Sequence, residues 1–389
     1  MNRRSVLVAT TLAAALVLTA CGSGGSTAPA APGAPAAPAG GPLDLKAAGC
    51  PATVVLQQDW QPEAEHGAMY SVVGPGYTID SDKKSVTGPL VAQGVDTGVK
   101  VEVRAGGPNT GFKPVPALMY VDPSITLGAV NTDQAIVSAA AQQVTVAVTS
   151  QLTVSPQILM WDPATYPGMT TLKQVAATGA PVVTSGEVLP ALLASQGIIT
   201  KAQSDTSYDG TPARFVSDPK IMQQGFATAE PYIYENEIAQ WHKPIASETF
   251  SNYGYSIYPE PLAVRADKLD GLRSCLQKLV PVMQRAQVDY LKTPGPTNAL
   301  IVKLVDSYQT GWSYTAGDAD FSAKTQLSGG FVENDPASGV FGQFDPARMQ
   351  DTVARFVPIL QAAGTLTGPA PAATSLFTND FIDKSVKLS

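Results

Sequence analysis

Short apolar runs rich in β-branched residues alternate with helical segments along most of this chain, and that alternation limits the fold to a few classes. Residues 54–56 are such a run; it ends at Asp59 and Trp60, and Met69 and Tyr70 then open a segment with helical spacing. Strand-and-helix pairs recur at 125–130 with 133–141, 156–161 with 171–177, and 181–183 with 188–195. The alternation predicts an α/β fold with two mainly parallel mixed sheets.

The rest of the chain suggests two lobes. Residues 75–97 are rich in Gly, Ser, Asp and Lys and are predicted to form a loop or a small excursion from the sheet. Farther along, the pattern predicts a strand at 214–216, a short helix at 219–224, and long helices at 269–291 and 340–363. Helices that follow a β/α run suggest that the chain leaves one lobe and returns to it. The predicted lobes are 47–150 plus 252–389, and 151–251, with crossing segments near 149–155 and 246–255.

The N-terminus carries an export signal. Arg3 and Arg4 precede an apolar run too short for a comfortable membrane span, and Leu-Thr-Ala-Cys ends at Cys21. That order resembles a bacterial lipobox, which implies cleavage before Cys21 and lipidation of its thiol; the alternative is an ordinary signal peptide with a nearby cysteine. Residues 1–20 are predicted as the signal, and 21–46, dominated by Gly, Ala and Pro, as a flexible tether. A domain anchored by lipid outside the cytoplasm is the expectation.

Composition narrows the possible partners. The 389 residues include 44% hydrophobic ones, which supports a sizeable core, and carry a net charge of −7. An acidic chain without a basic cluster argues against a nucleic-acid partner.

The cysteines predict one disulfide. Cys50 and Cys275 remain once Cys21 is lipidated, and in an oxidising compartment they are predicted to bond to each other; two separate buried thiols are the alternative.

Four sequence motifs, in this order, resemble one family. They are Asp59-Trp-x-Pro with His66-Gly-x-x-Tyr, Gly128-Ala-Val-x-x-Asp-Gln-Ala-Ile-Val, Gln224-Gly-Phe-Ala-Thr-Ala-Glu-Pro-Tyr, and Leu376-Phe-Thr-Asn-Asp-Phe. The set is similar to substrate-binding lipoproteins of ABC importers, in the branch that serves thiamine-pyrimidine precursors, nitrate, taurine and alkanesulfonates. The resemblance covers most of the mature chain, but residues 75–98 are longer than in the family and different from it.

The resemblance implies a periplasmic-binding-protein type II fold and a monomer that closes its lobes on a small ligand. It also implies permease and ATPase partners, no cofactor, no metal and no catalysis. Eukaryotic relatives that act as pyrimidine synthases need an iron-binding His/Cys set, whereas this chain has two His and no Cys cluster. The predicted ligand-binding residues are Asp59, Trp60, His66, Gly128, Val130, Asn131, Glu230, Tyr232 and Tyr253.

Several of these residues have a structural alternative. Trp60 suits either stacking on an aromatic ligand or packing at the edge of a lobe, and Asp59 suits either ligand N–H acceptance or helix capping. His66 suits a ligand contact or a structural hydrogen bond, and Glu230 suits a ligand contact or a salt bridge within its lobe. Glu63 and Glu65 are predicted to be solvated acids of a first helical turn.

The ligand and reaction class follow from what the sequence offers. Aromatic rings with carboxylates suit a small nitrogen heterocycle such as a pyrimidine, whereas nitrate, taurine or an alkanesulfonate would require Arg or helix N-termini around an anion. The sequence has no Gly-x-Ser-x-Gly motif and no His pair at metal-ligand spacing. A secreted enzyme and a partner-binding lipoprotein on the same scaffold are the alternatives.

Overall fold

The computed structural model describes residues 33–389; the predicted signal peptide and Cys21 lie outside this range. In this range the chain forms two mixed sheets flanked by helices. The strands are β1 (Thr53–Gln57), β2 (Thr78–Asp80), β3 (Ser85–Ala92), β4 (Val95–Arg104), β5 (Ile125–Ala129), β6 (Thr145–Thr149), β7 (Gln157–Trp161), β8 (Val182–Val183), β9 (Ser204–Asp205), β10 (Met222–Phe226), β11 (Ala246–Thr249) and β12 (Leu262–Arg265).

Eleven α-helices surround these sheets within residues 33–389. They are α1 (Gly67–Ser71), α2 (Val115–Val121), α3 (Thr132–Ala140), α4 (Leu172–Ala176), α5 (Val188–Ser195), α6 (Ala213–Ser217), α7 (Glu230–Asn236), α8 (Arg273–Lys292), α9 (Gly295–Tyr308), α10 (Ala316–Ser328) and α11 (Pro346–Ala362). The sequence predicted a single long helix at 340–363, whereas helix formation there begins only at Pro346, a residue favoured at the first helical position.

The seven-stranded sheet has the order β2-β3-β4-β1-β5-β12-β6. Only β1 pairs in parallel, with β4 and β5, while the other neighbours are antiparallel. The α/β fold class is therefore confirmed, but the sheets are mixed and not mainly parallel. The region predicted as a loop at 75–97 is an antiparallel meander, in which β3 and β4 pair along most of their length.

The five-stranded sheet has the order β11-β7-β10-β8-β9. Two predictions are wrong here: residues 219–224 were expected to be helical but run into the central strand β10, and residues 214–216 were expected to form a strand but lie in α6. Gln223 and Gln224 give β10 a polar sequence, yet both are buried and hydrogen bonded to Tyr234 and Gln157. Side-chain partners thus allow a polar segment to form a central strand.

The side chains of β1 point alternately into the two main hydrophobic cores, one on each face of the seven-stranded sheet. Val54 and Leu56 pack with residues of α8, α9 and α10 on one face of the seven-stranded sheet. Val55 faces the opposite side, where its cluster includes Leu159 and Trp161 of the five-stranded sheet. A strand buried on both faces fixes the position of the turn that follows it.

Two segments connect the sheets, between Thr149 and Gln157 and between Thr249 and Leu262. Arg348 of α11 donates hydrogen bonds to backbone carbonyls of both, at Thr153 (2.6 Å) and at Ile257 (2.7 Å). The Arg348 guanidinium is therefore hydrogen bonded to both of the segments that connect the sheets. The lobe boundaries and the hinge role of these segments remain predictions.

The beginning of the described chain packs against the seven-stranded sheet. Ala36 forms a bridge with Asp96, and Leu45 is fully buried, so packing starts before the tether boundary predicted at residue 46. Cys50 and Cys275 form the predicted disulfide, with Cα atoms 4.7 Å apart. Among the described residues, no helix combines the length and apolar character needed to cross a membrane.

Candidate functional site

Asp59 and Asn131 lie just beyond the carboxyl ends of the parallel strands β1 and β5, at the edge where α/β sheets commonly bind ligands. Asp59 accepts a hydrogen bond from Asn131 Nδ2 at 3.1 Å through one oxygen, and its other oxygen lies 3.1 Å from His66 Nε2. His66 is 2% exposed. The structure thus brings together three of the predicted residues.

Glu260 completes this group, although the sequence reasoning missed it. It lies between Pro259 and Pro261 ahead of the antiparallel β12, whose beginning meets the same sheet edge. Its backbone N–H donates to Asn131 Oδ1, and its Oε2 lies 3.1 Å from His66 Nε2. The signal in the sequence that could have identified Glu260 was an acidic residue between two prolines, directly before an apolar strand. We call Asp59, His66, Asn131 and Glu260 the His66 cluster.

The backbone of Glu260 adopts a left-handed conformation, with φ at +52°. A bulky residue rarely takes this conformation unless its surroundings enforce it, and such strain concentrates at functional sites. Glu260 Oε2 is buried, and the donor that lies near it among the described residues is His66 Nε2 at 3.1 Å, which is equally close to Asp59 Oδ1. One imidazole N–H thus faces two carboxyl oxygens, so the cluster has the capacity to accept further hydrogen bonds.

Burial and charge act in opposite directions on the His66 cluster. Burial tends to lower the pKa of His66, but the charges and hydrogen bonds of Glu260 and Asp59 outweigh it and raise the pKa well above its usual value. Burial and the charge of Asp59 raise the pKa of Glu260 to about 7, against the opposing effect of His66. An imidazolium between two carboxyls is the form favoured at neutral pH.

The same side chains have spacing compatible with a metal ion. One oxygen each from Asp59 and Glu260 and a ring nitrogen of His66 lie within 4.8 Å of one another. Zinc accepts this set of nitrogen and carboxylate ligands. A protonated His66 between two carboxyl groups accounts for the same spacing without a metal ion. The absence of a bound metal therefore stays a prediction.

Trp60 follows β1 of the seven-stranded sheet and meets the loop that follows β9 of the five-stranded sheet. Its ring has edge or tilted contacts with Trp312 at 6.2 Å and with Phe112 at 6.0 Å. Gly210, from the half that contains the five-stranded sheet, approaches so closely that a Cβ atom there would lie 3.1 Å from the indole. This half-buried indole is compatible with both roles predicted for Trp60, which are stacking on an aromatic ligand and packing at the edge of a lobe.

Gly210→Ala is expected to lower the free energy of unfolding more than Gly197→Ala does. Both glycines have positive φ, +84° and +67°, so each substitution adds left-handed strain of about 1–2 kcal/mol. Only Gly210 presses on Trp60, which should add about 1 kcal/mol of overpacking. Urea titrations of both variants measure the difference; equal losses would show that Trp60 yields freely.

Glu230 is the first residue of α7. Its Oε2 accepts a hydrogen bond of 2.5 Å from the Phe226 N–H, and the Tyr208 hydroxyl lies 3.4 Å from Oε1. Burial raises the pKa of Glu230 to about 7, and the negative charge of Glu65 contributes to the increase. No salt bridge holds Glu230 within residues 33–389, so the structural alternative considered for it finds no support.

Glu65 corrects a prediction, because it is 5% exposed and was expected to be solvated. The turn at Ala64–His66 is packed under α10, whose Gln326 donates a hydrogen bond to the Ala64 carbonyl. Tyr232 also reaches α10, with its ring stacked on Phe321 at 5.5 Å. α10 therefore links the turn around His66 to α7.

Three other predicted residues have structural contacts in the described chain. A Cβ atom on Gly128 would lie 2.5 Å from Val115 of α2, so this glycine permits close helix packing. The Tyr253 hydroxyl donates to Glu248 within the core of the five-stranded sheet. Val130 is buried beside the His66 cluster, and its N–H donates to the Pro261 carbonyl.

Comparison with solved structures shows which known proteins share this fold. The periplasmic aliphatic sulphonate-binding protein SsuA from Escherichia coli matches with a TM-score of 0.56 and 10% identity, covering 86% of this chain and 94% of that chain. The alkanesulfonate-binding protein SsuA from Xanthomonas axonopodis pv. citri, bound to MOPS, gives 0.52 and 8%, covering 84% and 99%. The predicted periplasmic-binding-protein fold is confirmed.

A third structure is the ligand-binding component of an ABC-type import system from Staphylococcus aureus with zinc bound. It matches with a TM-score of 0.50 and 12% identity, covering 87% of this chain and 99% of that chain. No protein-family model matches the sequence. No curated protein matches it either.

Proposed function

We propose that this protein is an extracytoplasmic solute-binding lipoprotein of an ABC importer. It is anchored through Cys21, acts without catalysis, and delivers a small nitrogen-containing ligand to a permease driven by an ATPase. The observation that carries the proposal is the His66 cluster, in which one imidazole N–H is shared between Asp59 and the buried Glu260 at the ligand-binding edge of a binding-protein fold.

The cluster favours a ligand that donates hydrogen bonds. Asp59 and Glu260 present acceptor oxygens that share a single imidazole donor, so N–H groups of a ligand would meet acceptor capacity that the fold leaves unused. Trp60 follows Asp59 in the chain, and its half-buried ring is the aromatic surface that we propose stacks on the ligand. A planar heterocycle with N–H groups, such as a pyrimidine, satisfies both, and its binding would draw the two halves together.

An anionic ligand suits this site less well. Within residues 33–389, neither Asp59 nor Glu260 pairs with Lys or Arg, and His66 is already shared between them. Sulfonate or nitrate would have to lie among carboxylates without a compensating guanidinium. Sulfonate binding, as named for two of the structural neighbours, therefore remains the second candidate for the ligand.

Thermal-shift screening of pyrimidines, riboflavin, taurine, alkanesulfonates and nitrate tests the proposal. A ligand at 100 times its dissociation constant should stabilise the protein by about 2.7 kcal/mol. Stabilisation by a heterocycle supports the ligand class, and stabilisation by taurine or a sulfonate selects the second candidate. A screen in which no compound changes the melting temperature counts against solute binding.

Trp60→Leu is expected to weaken binding of the ligand found in that screen by about tenfold. An aromatic contact contributes about 0.5–1.5 kcal/mol beyond its buried area. Trp241→Leu is the matched control, because Trp241 packs against Phe215 and Lys243, away from the His66 cluster. Calorimetric titration of both variants measures the effect, and equal affinities in the two would remove Trp60 from the site.

A further inference from the structure

Asp318 is fully buried in the first turn of α10, and neither of its carboxyl oxygens has a hydrogen-bond partner in the described part of the chain. Its own backbone N–H donates to Thr315 Oγ1 at 3.1 Å, so its side chain is not needed for capping. Buried carboxyl groups normally have partners. The described residues give the Asp318 carboxyl group no such partner.

Three further acids lie on the elements that pack against α10, and their charges act on Asp318. Glu65 comes from the turn before α1, Glu230 from the beginning of α7, and Glu237 from the end of α7. Burial, followed by the charges of Glu65, Glu237 and Glu230, raises the pKa of Asp318 to about 9. Glu237 Oε1 also accepts a hydrogen bond from the Thr315 hydroxyl at 2.5 Å. We call these four residues the Asp318 cluster.

The cluster contains negative charge without a matching cation. Among residues 33–389, no Lys, Arg or His lies within ion-pair distance of any of its four carboxyl groups. Its surroundings are aromatic: the Tyr208 hydroxyl reaches Glu230, and Tyr314 accepts a hydrogen bond from the Ala64 N–H. Like charges in a low-dielectric place are unfavourable unless protons or a cation neutralise them, and a bound cation would replace the proton that Asp318 holds in the ligand-free protein.

We propose that the Asp318 cluster is the subsite that receives a positively charged ammonium or guanidinium group of the transported ligand. This inference rests on the proposed function and narrows the ligand to small organic cations. Asp318 and Glu65 come from one half of the molecule and Glu230 and Glu237 from the other, so a cation bound among them would hold the halves together.

The spacing favours an organic cation over a metal ion. The described residues contain only one group of three ligating side chains within 4.8 Å, and it is Asp59, His66 and Glu260. The Asp318 cluster is therefore wider than a metal coordination shell. A guanidinium, with five N–H donors in a planar fork, or an alkylammonium can reach carboxyl groups set farther apart. Tyr208 and Tyr232 could add cation–π contacts.

Calorimetric titration of the purified full-length protein tests this inference with agmatine, putrescine and choline as probes. Cytosine, taurine and zinc chloride are the neutral, anionic and metal comparisons. At least one organic cation is expected to bind, and Asp318→Asn and Glu230→Gln should each weaken it by about 10–100-fold, the usual effect of losing a charge-assisted hydrogen bond. Asp351→Asn, on the exposed face of α11, should leave the affinity unchanged.

Proton release is a second readout that a purely structural role would not affect. Asp318 must ionise to pair with a cation, so binding at pH 7.5 should release about one proton, measured by titration in two buffers of different ionisation enthalpy. Affinity should rise by up to tenfold per pH unit between pH 6 and 8. In the Asp318→Asn variant, the number of protons released on binding should fall by the proton that Asp318 releases in the wild type.

The outcomes separate this inference from the proposed function. Binding of cytosine or taurine without any organic cation overturns the cation subsite and leaves solute binding intact. Binding of zinc alone, or cation binding that is insensitive to both variants, also overturns it. A protein that binds none of the six probes, and none of the wider thermal-shift panel, contradicts both proposals.

Discussion

Removing the Cys50–Cys275 disulfide is expected to lower the free energy of unfolding by about 4–5 kcal/mol. The two cysteines are 225 residues apart, and a cross-link that closes so long a loop removes much of the conformational entropy of the unfolded chain. Because α8 and β1 pack in one core, the native state should keep its structure when the bond is absent. Urea unfolding of Cys50→Ala, monitored by fluorescence and circular dichroism, measures the loss.

The double variant Cys50→Ala with Cys275→Ala provides the control. Cys275 is 2% exposed, so its replacement adds a small packing loss to the missing cross-link. A loss of less than about 1 kcal/mol for Cys50→Ala would contradict the entropic argument. It would mean that the unfolded ensemble already holds these regions together or that the bond contributes little.

The periodicity of the sequence was sufficient to predict the fold class but not the sheet arrangement. Buried strands such as β1 and β5 were predictable because both their faces are apolar. The second half of β4 was predicted from its alternation at 99–103, but β2, β3 and the beginning of β4 were missed because the Gly, Ser, Asp and Lys residues of this stretch resemble a loop. β10 was missed because its two glutamines find partners that only the tertiary structure supplies.

The candidate site was predictable only where it follows a strand. Asp59, His66 and Asn131 lie in turns that a β/α pattern locates, and the structure brings them together. Glu260 was missed because a proline-flanked acid has no secondary-structure signature. Asp318 resembles an ordinary first-turn acid, favourable for a helix dipole, and its burial comes from packing between α7 and the turn before α1.

Replacing Asp318 by Asn is expected to flatten the pH dependence of stability in the ligand-free protein. The carboxyl group has a pKa of about 9 in the folded state and its usual value of 3.8 when unfolded. Between these values the folded state holds one more proton, so wild-type stability should fall as the pH rises. The slope for this residue approaches roughly 1.4 kcal/mol per pH unit.

The difference between wild type and Asp318→Asn should therefore grow by up to about 4 kcal/mol between pH 5 and pH 8, in favour of the variant. Asn resembles the protonated acid in shape and cannot ionise, so the contribution of Asp318 to the slope disappears while Glu230 and Glu260 keep theirs. Urea unfolding at several pH values measures both curves, with Asp351→Asn as the surface control. Parallel curves for wild type and Asp318→Asn would show that water or a neighbouring donor already stabilises the ionised carboxylate, and a bound cation would then gain nothing from it.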